Sequence, residues 1–76
     1  MMKIYTVSDI GSLARKKRME LGLTQSGLAD ISGSGTRFIS DFENGKPTLQ
    51  IEKVLNALHV LGLDIFISER GSGNGT

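Results

Sequence analysis

The sequence predicts an all-α domain of four helices with one β-strand at its C-terminal end. Three observations carry this: apolar residues recur at helical spacing in four segments, glycines punctuate those segments, and residues 63–68 place Leu63, Ile65 and Ile67 at a period of two. Ser8 is the expected N-cap of a first helix near 9–21, with Ile10, Leu13, Ala14 and Leu21 on one face, Lys17 interrupting the stripe and Gly22 as the stop. Thr24 caps a second helix, Gln25–Ser32, whose Leu28 and Ala29 face inward and which ends at Gly33. Gly27 inside it costs roughly 1 kcal/mol against alanine, so this helix leans on tertiary contacts.

A third helix begins near Gly35 or Thr36 and runs to about Glu43, stopped by "NGKP". Thr48 is the expected cap of the fourth, "LQIEKVLNALHVL", with Ile51, Val54, Leu55, Leu58 and Leu61 as its apolar stripe and Gly62 as its end. In "LDIFIS", Leu63, Ile65 and Ile67 alternate with Asp64, Phe66 and Ser68, the pattern of a strand. One strand leaves its backbone groups unpaired. Its partner is "KIYTV" near the N-terminus, another protein, or the same strand of a second copy. The last is preferred, because a two-fold dimer enlarges an undersized core. Tyr5 and Phe66 serve as apolar anchors there. The resulting division is 1–62 as the main domain, 63–68 as a dimerisation strand and 69–76 as a flexible Gly-rich tail.

Composition narrows the function. The chain has 76 residues, 38% of them hydrophobic, and no cysteine, which removes disulfides and thiolate metal sites and suits a reducing cytoplasm. Nothing in the sequence has the length of a membrane span or the apolar stretch of a signal peptide. One histidine and scattered carboxylates assemble no catalytic triad or metal site at recognisable spacing, so neither an enzyme nor a cofactor is expected. His59 belongs to a polar face with Glu52 and Asn56. Net charge is only +1, yet residues 1–46 hold seven Lys/Arg against five Asp/Glu, four of them consecutive: Arg15, Lys16, Lys17 and Arg18. Such a run is read either as a solvated helix face or as part of a binding surface.

The stretch "ISGSGTRFIS" at 31–40 is the decisive one. A phosphate-binding loop would follow a buried strand and match G-x-x-x-x-G-K-[ST], and neither condition is met. Two short helices joined by a glycine-containing turn instead give a helix-turn-helix, whose second helix fits a DNA major groove. Ala29 lets the two helices approach. Ile39 and Phe42 face the core, while Thr36, Arg37, Ser40 and Asp41 lie on other faces.

The segment "GLTQSGLADISGSGTRFISDFENGKPTLQIEKVLNALHVLGLDIFIS" resembles the Cro/CI-type (XRE) helix-turn-helix family over roughly residues 9–61. The set "LTQ…LA…G…ISDFENGK" carries the likeness, and "LGLDIFIS" after the fourth helix is similar to HipB-type antitoxins. The resemblance implies a lambda-repressor-like helix-turn-helix fold and a C-terminal strand pairing across a homodimer through Leu63, Ile65, Phe66 and Ile67. It implies double-stranded DNA as a partner, with a palindromic operator, and a HipA-like kinase toxin as a second partner. A free-standing phage-type or metabolic regulator is the alternative.

Carried over residue by residue, the resemblance makes Thr36, Arg37 and Ser40 the base-reading candidates, with Arg37 able to donate twice to guanine or to touch phosphate alone. Gln25 is the family glutamine that contacts phosphate and buttresses the third helix, unless it is merely a surface residue. Arg18 is expected to pair with Glu43, tying helix one to helix three, and also to reach phosphate. Arg15, Asn44 and Lys46 are backbone contacts in the same sense, and Ser34 assists through its hydroxyl or its N–H. Ser32 and Ser34 stand where the family places small apolar residues, and Gly27 replaces a polar helix former; these departures are expected to weaken the motif locally. Phe38 is expected to pack under helix three rather than reach a thymine methyl.

Overall fold

Local sequence chemistry starts and stops each helix. In the computed structural model, which describes residues 2–70, the elements are α1 (Val7–Glu20), α2 (Gln25–Ser32), α3 (Thr36–Glu43) and α4 (Ile51–Val60). The first begins earlier than Ser8 allows, because Thr6 is the cap. Thr6 Oγ1 accepts from the Asp9 N–H at 3.1 Å, and Asp9 Oδ2 accepts from the N–H groups of Thr6 and Tyr5 at 3.0 and 2.9 Å. The Thr-x-x-Asp spacing is a capping box, and it outcompetes a lone serine. Backbone donors from Tyr5, then Thr6, hold the Asp9 carboxyl below the usual carboxylate range. Thr24 caps α2 through the Gly27 N–H at 2.9 Å.

Helix α4 departs from expectation at its start. Pro47 and Thr48 lie in a turn, Leu49 packs on the core, and the N-cap is Gln50, without a side-chain bond. All four helices end alike, on a glycine of positive φ followed by a residue whose N–H reaches back to a carbonyl of the last turn. At Gly33 this geometry sets the helix-turn-helix corner: φ is 70°, and the Ser34 N–H bonds Ala29 O at 3.0 Å.

The core lies where α3 meets α1 and α2, with α4 closing it over α2. Ala14, Leu28, Ala29, Ile39, Phe42, Val54, Ala57, Leu58 and Leu61 form it, and Ile10, Phe38, Leu49, Val60 and Leu63 pack on its edge. Gly11 makes the α1–α3 contact close, since a Cβ there would stand 2.1 Å from Phe42 O. The expected α4 stripe is narrower than its sequence suggests. Val54, Leu58 and Leu61 are buried, while Ile51 and Leu55 are exposed and Ala57 takes their place inside. Leu21 likewise faces outward rather than joining the α1 stripe.

Ser32 and Ser34 do not loosen the corner. Ser32 Oγ donates to Leu28 O at 2.7 Å and lies 2.8 Å from Ser34 Oγ, while Asn56 Nδ2 donates to Ser32 O at 2.6 Å. Two hydroxyls and one α4 amide thus satisfy the end of α2 and fasten it to α4. Among the described residues no strand forms, neither in 63–68 nor in residues 3–7. Of the tail expected at 69–76, residues 71–76 lie outside the described residues.

Candidate nucleic-acid interface

The site is built on a buried ion pair. Arg18, on the last turn of α1, donates from Nε to Glu43 Oε2 at 2.6 Å and from Nη2 to Glu43 Oε1 at 3.0 Å. Its Nη1 donates to Leu23 O at 2.7 Å. The Arg18 and Glu43 side chains are only 11% and 2% exposed, so α1, the α1–α2 loop and the end of α3 are locked together. The hydrogen bonds Arg18 donates to Glu43 outweigh burial and raise its pKa above the ordinary value, so the guanidinium stays charged. Gln25 completes the knot, its Nε2 donating to Glu43 Oε1 at 3.2 Å. The first residue of α2 is thereby fixed against the last residue of α3. Fixed together, the two helices present the motif as a rigid body.

Around this knot lies an open, mainly polar concavity lined by Ser12, Arg15, Lys16, Gln25, Glu43 and Asn44. It gathers three of the residues expected to touch DNA backbone: Arg15, Gln25 and Asn44. Arg18 is not among its lining residues, and three of its five N–H groups are bonded to Glu43 and Leu23. At the start of α2 the Gly27 and Leu28 N–H groups are taken by Thr24, and the positive end of the helix there favours an anion beside Gln25.

The outer face of α3 carries Thr36 and Arg37, both exposed, and Ser40 and Asp41, both half-buried. The Arg37 side chain is 90% exposed, with Nε 3.9 Å from Asp41 Oδ2. Lys46, after the helix, sets Nζ 3.6 Å from the same oxygen. Ser34 sits half-buried at the corner, held by Ser32. Phe38 packs against Phe42, ring centroids 5.9 Å apart, and Lys53 Nζ lies 5.8 Å above the Phe38 ring.

Sequence reasoning left out Asp41, Lys53, Ser12 and Lys16 as site residues. The i, i+4 spacing from Arg37 is the signal for Asp41, and membership of the basic run the signal for Lys16. Lys53 gave none, because its neighbour Phe38 is fifteen residues away in sequence. His59 is exposed on α4. Among the described residues no three His, Cys, Asp or Glu converge to hold a metal, and no helix is long and apolar enough to cross a membrane.

Comparison with known proteins agrees with this geometry. A helix-turn-helix family model, HTH_3, matches residues 15–67. An HTH-type transcriptional regulator of Sinorhizobium fredii, y4mF, is 51% identical over 69 residues, 91% of each chain. Among solved structures, a chain of a HipA–HipB–O2–O3 complex is similar with a TM-score of 0.83 and 27% identity, covering 92% of this chain and 99% of that one. A chain of a HipB–O4 20-mer complex gives a TM-score of 0.82 at 27% identity, with the same coverage. The corner at Gly33, the outward face of α3 and these likenesses together make the chain a member of the XRE-type helix-turn-helix family of DNA-binding transcriptional regulators.

Proposed function

We propose that the chain is a dimeric, sequence-specific repressor that acts as the antitoxin of a HipBA-like pair, repressing its own operon and neutralising a kinase toxin. The observation that carries the DNA side is the joining, through one Arg18–Glu43–Gln25 knot, of an open, mainly polar concavity to the exposed face of α3. Thr36, Arg37 and Ser40 read base edges from the major groove, Arg37 donating to guanine O6 and N7. Arg15, Gln25, Asn44 and Lys46 hold phosphates on either side, with Ser34 at the corner; Arg18 contributes by fixing Gln25 and α3 rather than by a second bond. Two protomers, joined through Leu63, Ile65, Phe66 and Ile67 as paired C-terminal strands, bridge half-sites about 34–36 Å apart on a palindromic operator.

The toxin side is supported by the whole-length likeness to HipB as it occurs in a HipA–HipB complex. A free-standing regulator without a toxin is the second reading, and the S. fredii relative, named an uncharacterized HTH-type transcriptional regulator, is compatible with either. The test is titration of the protein against labelled duplex from upstream of its own gene and against a scrambled duplex, at two salt concentrations. Tight, salt-sensitive binding that prefers the upstream duplex is expected, since phosphate contacts dominate affinity while base contacts set preference. Equal, weak binding to both duplexes refutes autoregulation. Co-expression with a kinase encoded beside it then separates the two readings: the antitoxin copurifies with it, and the free-standing regulator does not.

A further inference from the structure

The face of α3 proposed to meet DNA carries a carboxylate, and no role assigned so far explains it. Asp41 is one helical turn beyond Arg37, and its Oδ2 is approached by Arg37 Nε at 3.9 Å and Lys46 Nζ at 3.6 Å. The turn at Gly45 makes the second approach, because the Lys46 N–H bonds Asp41 O at 3.0 Å and brings its side chain back over the helix. One anion therefore stands between two of the cations best placed to meet DNA. Asp41 itself is held in place: it belongs to a helix whose neighbours Ile39, Phe42 and Glu43 are all buried. No hydrogen bond of the protein occupies its carboxylate among the described residues; both cations lie beyond hydrogen-bond distance.

We propose that Asp41 is a specificity-determining residue of α3, which draws Arg37 and Lys46 away from indiscriminate phosphate contact and releases them where a base amino group, a cytosine N4–H2, donates to it. The chemistry follows from what the groove offers. A carboxylate brought to DNA is repelled by every phosphate and is compensated only by a donor on a base edge, and in the major groove cytosine N4 is such a donor. Guanine, paired to that cytosine, presents the O6 and N7 acceptors that suit Arg37. An arginine and an aspartate one turn apart thus read a G·C pair as a unit. Adenine N6–H2 is the other major-groove amino donor, but its partner thymine offers Arg37 no pair of acceptors; where neither amino group faces it, the aspartate stays unpaired near phosphate and the two cations stay partly neutralised. The net charge of only +1 fits a protein that keeps its non-specific affinity low. This inference rests on α3 being the groove-entering helix, and the experiment separates the two.

The experiment selects a high-affinity duplex from a random pool with the wild-type protein, then measures affinity for it and for a scrambled duplex across a salt series. Asp41→Asn, Arg37→Ala, the double variant and a control, Asp30→Asn on the exposed side of α2, are measured alongside. Asp41→Asn is expected to bind the scrambled duplex several-fold more tightly, with a salt slope steeper by about one, and to lose roughly tenfold of the preference for the selected duplex. Asp30→Asn makes the same charge change and is expected to leave the preference unaltered. In the Arg37→Ala background the Asp41 substitution is expected to add little, because the two act together. A preference unchanged in Asp41→Asn, an equal loss in Asp30→Asn, or full additivity with Arg37→Ala overturns the role of Asp41 while leaving DNA reading by α3 intact. If the pool yields no preferred duplex for the wild type, the DNA reading falls and this inference falls with it.

Discussion

The four consecutive basic residues of α1 have different fates. Helical geometry separates neighbours by about 100°, so Arg15 and Lys16 reach the surface, Lys17 is half-buried and Arg18 turns into the core. A count of charges would have added Arg18 to a cationic patch, yet its charge is spent on Glu43. Removing either partner strands the other in a site closed to water, which costs about 3–5 kcal/mol, a large share of what a small domain has. Arg18→Ala is therefore expected to lower the thermal midpoint by ten degrees or more on the scale of about 4–8 °C per kcal/mol, followed by circular dichroism. Replacing both residues together, Arg18→Met with Glu43→Leu, should restore much of the loss, since a packed apolar pair needs no charge compensation. A midpoint unmoved by Arg18→Ala would show that water, not Arg18, satisfies Glu43.

At the level of elements, helix ends were legible where one residue type decides them. Thr24 and the four glycines were readable from position alone, and α2 and α3 have the bounds their sequence predicts. The starts of α1 and α4 were misplaced because a hydroxyl near a helix is weak evidence without its reciprocal partner: Thr6 has Asp9, whereas Ser8 and Thr48 have none. The α4 stripe was read too wide because periodicity counts Ile51 and Leu55 as apolar without knowing that no helix covers them in this chain. The residues placed on the outer face of α3 could be named from spacing, while the Gln25–Glu43 contact could not, spanning eighteen positions. Gly11 was illegible for the same reason. Its significance is the carbonyl of Phe42 on another helix, which a methyl group would meet at 2.1 Å. Gly11→Ala must push α1 off α3, and overpacking of this kind costs about 1–3 kcal/mol, more than the helix propensity it gains of about 1 kcal/mol. A lowered denaturation midpoint is expected; a raised one would mean that α1 can slide without loss.

For the whole molecule the question is what covers the apolar residues at its two ends. Among the described residues nine buried apolar side chains form the core, a modest set for a chain near the size where one core becomes marginal. Meanwhile Tyr5, Ile65, Phe66 and Ile67 stay half or more exposed. Leu63 is different. It packs on the core, and its N–H bonds Leu58 O at 2.9 Å to finish α4. Pairing of residues 64–68 with the same segment of a second copy would form a strand ladder and bury the exposed Ile65 and Ile67 on a shared face. Deletion of residues 64–76 is the appropriate truncation, because it keeps Leu63 and with it the α4 cap. The shortened chain is expected to melt as a folded protein, to halve its mass by light scattering, and to bind a single half-site about as well as each protomer of the full chain. Its affinity for the palindrome should fall by a hundredfold or more, because linking two sites raises avidity by about 10²–10⁴. A truncated chain that remains dimeric would move the interface to other exposed apolar residues, such as Ile51 and Leu55 of α4.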